Sequence, residues 1–222
     1  MIAFHGREPD CYRRFDIAHI PDGVLSAPVL ITGGVATAAA LTVATRRLDF
    51  DRIPQAALLA AALFVASLVS VPVGPSAVHL MLNGLMGLVL GWASVPAIVV
   101  ALVMQAVFFG FGGLVALGVN AFNIALPALV CAFALGPLLP RAGPRGVFAL
   151  GVAAGVFGVG LTGGLVAATL TLSGEGFAPA AKVIVATYVP LMAIEGAVTG
   201  ATVAFVRRVA PELLNAPRQE AA

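Results

Sequence analysis

Apolar stretches separated by short polar breaks run from about residue 24 to residue 206 of the 222-residue chain. A helix needs about 20 mainly apolar residues to cross a hydrocarbon core. Cut at Pro, Gly and charge, the pattern predicts seven helices, over residues 24–44, 54–71, 77–92, 95–117, 121–139, 147–172 and 182–206. The third is short, so its outer end is expected to sit low, inside a cavity rather than in lipid. The breaks are RRLDFDR (46–52), VPVGPS (71–76), WASVP (92–96), GVN (118–120), PRAGPR (140–145) and SGEGFAPAA (173–181). Such short links make neighbouring helices antiparallel and leave no room for a soluble catalytic domain. The expectation is an all-α integral membrane protein, a bundle of about seven transmembrane helices over residues 18–208. A polar extension (1–17) precedes it and a short cytoplasmic tail (209–222) follows.

Composition sharpens this picture. The chain is 60% apolar and 10% charged, against roughly 45–50% and about 25% in soluble domains. Low charge excludes disorder, and a net charge of +2 without a basic run excludes nucleic-acid binding. Two cysteines, Cys11 and Cys131, make neither a disulfide scaffold nor a CxxC zinc site. The first 17 residues lack the uninterrupted apolar stretch of a secretory signal. With seven spans and the N-terminus outside, Arg46, Arg47, Arg52, Arg141, Arg145, Arg207, Arg208 and Arg218 are cytoplasmic, while Arg7, Arg13, Arg14 and Lys182 lie outside. Eight against four favours N-out, C-in in the bacterial inner membrane.

Small residues recur at helical spacing, with Ala36, Ala40 and Ala44 on the first span and Gly151 and Gly155 on the sixth. In lipid such residues drive association by close backbone approach, within the bundle or against a membrane partner. Polar residues within spans are costly unless they serve a site or find a partner. They are His79, Asn83, Gln105, Asn123 and Glu195. Glu195 reads either as a proton carrier or packing switch, or as a structural hydrogen-bonding group paired with Gln105 or Asn83. Trp92 and Tyr188 fit interfacial anchoring.

Two histidines fall in suggestive places. His19 lies in AHIPDGVLS (18–26) just before the first span, where Asp22 is positioned to cap the following helix. His79 lies in GPSAVHLMLNG (74–84) at the start of the third. The topology puts both on the outer face, together with Asn120 and Asn123. Imidazole suits nickel, copper, zinc and cobalt. The bland alternative is a capping His at one helix end and an interhelical hydrogen bond at the other.

HIPDGVLS (19–26), the Gly74–Gly84 segment with its HLMLNGLMG run, GVNAFNIA (118–125) and PLMAIEGAVTGATVAF (190–205) resemble the CbiM/NikM group. These are substrate-binding membrane subunits of energy-coupling-factor transporters for cobalt and nickel. The resemblance covers nearly the whole hydrophobic chain, with the motifs in the family's order. It implies a seven-helix subunit that captures Co2+ or Ni2+ from the outer side, held by the backbone and ring nitrogens of His19, by His79 and by a terminal amine at the position of Ala18. Asp22, Asn120 and Asn123 would support these ligands from behind. Ala18 is internal here, which leaves three outcomes. Cleavage after Ile17 exposes an amine, or the tail folds back and offers His5, Cys11 or Asp16, or this member binds metal weakly or binds another metal.

No Walker A pattern (GxxxxGK[ST]) occurs, so the chain itself is not expected to be an ATPase or other enzyme. The resemblance implies a coupling membrane subunit and two cytoplasmic ATPases as partners. The alternatives are a secondary transporter or channel acting alone, which predicts internal repeats, and an intramembrane metalloenzyme, which would want HExxH or a Ser/His or Asp pair. Neither pattern is visible.

Overall fold

The computed structural model of the chain describes residues 19–73 and 76–214. Among them are seven α-helices: α1 (Ala27–Arg46), α2 (Ile53–Ala66), α3 (Asn83–Leu90), α4 (Ser94–Phe109), α5 (Leu117–Ala134), α6 (Pro144–Ser173) and α7 (Ala178–Val209). Proline in the first turn of α1, α2, α6 and α7 sets the entry, where its missing N–H costs nothing. Five apolar segments are long enough to cross a membrane: residues 27–46, 83–109, 117–141, 144–173 and 182–209. At 14 residues, or about 21 Å, α2 falls short by itself. Large apolar side chains such as Ile31, Leu58, Val107, Phe157 and Phe205 stay exposed around the bundle, as lipid-facing positions do.

The third expected helix is half a hairpin. Strands β1 (Ser70–Val73) and β2 (Ser76–His79) pair antiparallel, with Ser70 opposite His79. Pro72 lacks the N–H that a helix interior needs, and Val71, Val73 and Val78 favour extended backbone. Helix therefore begins only at Asn83. All eight residues of α3 are buried, so this short helix occupies the middle of the bundle. A Cβ on Gly84 would strike the Ala154 carbonyl of α6, and one on Gly87 the Ala128 carbonyl of α5, so only glycine permits this approach.

The fourth and fifth helices also differ from the pattern. Gly110 adopts a left-handed conformation and ends α4, so residues 110–116 form the loop expected further on. GVN (118–120) is the first turn of α5 rather than a break.

Small residues close the bundle from within. Gly151 and Gly155 bring α6 against Thr199, Gly200, Glu195 and Gly196 of α7. On α1, Ala44 is fully buried and Ala40 packs against the core. Thr37 above them donates to the Gly118 carbonyl of α5 at 2.6 Å. The bundle has two distinct ends. One gathers the segment before α1, the hairpin and the start of α5. The other gathers Arg47, Asp49, Arg52, Trp92, Arg141 and Leu214 around a cavity of about 750 Å³.

Candidate metal centre

His19 stands just ahead of α1, and the backbone beside it is held from α5. Asn120 accepts the Ile20 N–H on Oδ1 at 3.0 Å and donates Nδ2 to the Ile20 carbonyl at 3.0 Å. Asp22 accepts the Ala116 N–H at 2.8 Å, while α1 has no side-chain cap. The expected cap on α1 is thus not made. A carboxylate is drawn to the unpaired N–H groups of whichever helix start it reaches, and the turn at Pro21–Gly23 brings it to α5.

The loop between α4 and α5 passes over this segment because it is glycine. Gly112 and Gly113 have φ of +74° and +78°. A Cβ on Gly112 would meet Asn120 Nδ2 at 2.7 Å and His19 Cβ at 3.0 Å; one on Gly113 would strike the Asp22 carboxylate. The signal was present as GFGG (110–113), but hydropathy alone runs a helix through it.

His79 ends β2, with Nδ1 2.9 Å from the Leu80 carbonyl. A carbonyl only accepts, so Nδ1 carries the proton and Nε2 presents its lone pair. That Nε2 lies 3.1 Å from His19 Nε2, so His19 donates a hydrogen across the gap. Phe111 stacks near both rings, with centroids at 6.1 and 6.3 Å. His19 is 4% and His79 1% exposed. Burial, and secondly repulsion from His79, push the His19 imidazole down to about 3, against a smaller opposing pull from Gln105. At neutral pH His19 is therefore uncharged and able to ligate. Metal–nitrogen bonds of about 2.0–2.1 Å put two adjacent ligand nitrogens about 2.9 Å apart at right angles and about 3.4 Å apart in a tetrahedron. The observed spacing falls between these, so an ion taking the place of the shared hydrogen would reach both rings with little movement.

Among the described residues no group of three His, Cys, Asp or Glu forms a metal cluster. Ala18 lies outside the described residues, as do His5, Cys11 and Asp16. Gln105 is fully buried beside His19. Asn123 is buried with neither polar atom hydrogen-bonded to the described residues.

Asn83 and Glu195 are placed elsewhere than expected. Asn83 donates to the Gly158 carbonyl at 3.1 Å and to Thr162 Oγ1 at 2.8 Å, tying α3 to α6. Glu195 pairs with neither Asn83 nor Gln105; it accepts the Met81 and Leu82 N–H groups. The unwound backbone between β2 and α3 supplies free donors that a side-chain amide would otherwise have had to provide. Tyr188 is buried against Gly163 rather than interfacial, whereas Trp92 lies at the arginine end beneath Arg47, 5.2 Å from its guanidinium.

Residues 19–213 match the CbiM family, described as the cobalt uptake substrate-specific transmembrane region. Over 199 residues the chain is 37% identical to a protein of Haemophilus influenzae named for metal transport, covering 89% of this chain and 97% of that one. It is 38% identical to the fused nickel transport protein NikMN of Rhodobacter capsulatus, over 90% of this chain and 65% of that longer protein. The crystal structure of a transition metal transporter shares the fold with a TM-score of 0.71 at 26% identity, covering 86% of this chain and 93% of that one. The chain belongs to the CbiM family and is an integral membrane component of metal transport.

Proposed function

We propose that this chain is the metal-capturing subunit of an energy-coupling-factor importer for divalent cobalt or nickel. It takes the ion from the outer face between His19 and His79 and acts as a transport subunit rather than an enzyme. The single observation that carries this reading is the 3.1 Å approach of two buried imidazole nitrogens from positions 60 residues apart. It is supported by family membership and by the neutral state of His19 at pH 7. Completing the site falls to the Ala18 nitrogen, either as backbone or as an amine exposed by cleavage after Ile17. With the backbone nitrogen of His19 as the fourth, four nitrogen donors suit Ni2+ in a square-planar arrangement.

Asp22 and Asn120 hold the N-terminal segment over the ion, which shields it once bound. The chain has no Walker A pattern, so the energy for import comes from two cytoplasmic ATPases through a coupling membrane subunit. The arginine-lined end faces the cytoplasm, and the histidine end faces out. Calorimetric titration of the purified protein with Ni2+ and Co2+ tests the reading. His79→Ala and His19→Ala should each lose more affinity than the roughly 100-fold that follows removal of a group supporting a ligand. Wild-type affinity in both variants overturns the site, and an intact Met1 in the mass spectrum removes the cleaved amine.

A further inference from the structure

Glu195 lies midway along α7 and is fully buried. Its carboxylate collects the N–H groups of two successive residues, Met81 and Leu82, with Leu82 N at 3.0 Å from Oε1 and 3.2 Å from Oε2. Leu82 has φ +48° and is the one non-glycine residue with positive φ among the described residues. A side chain in that region carries strain that persists only where the surroundings impose it. Successive N–H groups converging from a right- to left-handed turn form an anion-binding concavity, and Glu195 fills it from another helix. The turn so held begins directly after His79, whose strand pairs with β1. α7 in turn is locked at this level, since a Cβ on Gly155 of α6 would strike the Glu195 carbonyl and Gly196.

The second consideration is charge. His19 and His79 meet through ring nitrogens 3.1 Å apart, and both rings are buried. A dication held by such nitrogens brings two positive charges into a buried site, where a nearby negative group is worth far more than in water.

We propose that Glu195 is a positioning residue for metal capture: it fixes the Met81–Leu82 backbone that places His79, and its charge offsets that of the bound dication. This rests on His19 and His79 being the metal site. The test uses the full purified chain, titrated with Co2+ and followed both by calorimetry and by the Co2+ absorption spectrum. Glu195→Gln keeps an acceptor oxygen but removes the charge. It should weaken Co2+ binding by about 10–100-fold, as loss of a group behind a ligand does, with the spectrum unchanged because the ligands remain. Glu195→Asp keeps the charge but withdraws it from the two amides, and should weaken binding with a shifted spectrum; it also carries the test where the Gln variant does not fold. Lower thermal stability with wild-type Co2+ affinity in either variant overturns the proposal, because that is what a purely structural carboxylate would give. If His79→Ala also binds Co2+ as the wild type does, the metal site itself has failed; if His79→Ala loses binding while the Glu195 variants retain it, only the role of Glu195 has.

Discussion

The two ends of the bundle solve opposite problems. At the histidine end, the ring nitrogens are packed against Phe111 and covered by a glycine loop, and the Ile20, Met81, Leu82 and Ala116 backbone groups are satisfied by Asn120, Glu195 and Asp22. At the arginine end, Arg47, Arg52 and Arg141 ring a cavity of about 750 Å³, with Arg47 lying over Trp92 and Arg141 donating to the Pro137 carbonyl at 3.3 Å. The first arrangement holds two imidazoles at fixed spacing, as the proposed capture of one small ion requires. The second leaves permanent charges near water, as an end that sets orientation or meets partners requires. Preorganisation is concentrated where the two imidazoles meet.

This contrast can be broken by substitutions that act at one end only. The largest effect is expected from Gly113→Val, which places a β-branched side chain at positive φ and drives it into the Asp22 carboxylate. Stability should fall by roughly 3 kcal/mol, the upper end for imposed backbone strain, with Ni2+ affinity falling alongside; thermal unfolding in detergent and calorimetry measure the two. Asn120→Ala comes next, since it strands a buried N–H and a buried carbonyl of Ile20. About 2 kcal/mol should be lost, again with weaker Ni2+ binding, whereas unchanged affinity would show that His19 needs no help from α5. The smallest effect belongs to the other end. Trp92→Leu removes a cation–π contact worth about 0.5–1 kcal/mol and should leave Ni2+ affinity at the wild-type value. A clear loss of metal binding in that variant would show that the ends are coupled through α3, which runs between them.

Hydropathy and punctuation were sufficient to read a helical membrane bundle, because each helix satisfies its own backbone and needs only a long apolar run to be recognised. The same reading located His19 and His79 and predicted that they share one end, since alternating spans leave few choices. It failed where local backbone geometry overrides apolar content. Residues 77–82 read as the start of an apolar span, yet 76–79 form a strand, and GFGG (110–113) is apolar yet turns.

The order of apolar and polar residues is therefore enough for the class of molecule, its approximate spans and the two imidazoles. The tertiary structure alone decided which polar group serves which. Asp22 holds the Ala116 N–H just ahead of α5 rather than capping α1, Asn120 clamps Ile20, and Glu195 takes the amides behind His79 instead of pairing with Asn83 or Gln105. The physical reason is that a buried polar group must find a partner but carries no local rule for which one. That choice is settled only when distant segments, brought together by glycine and alanine contacts, present their unpaired N–H and C=O groups within reach.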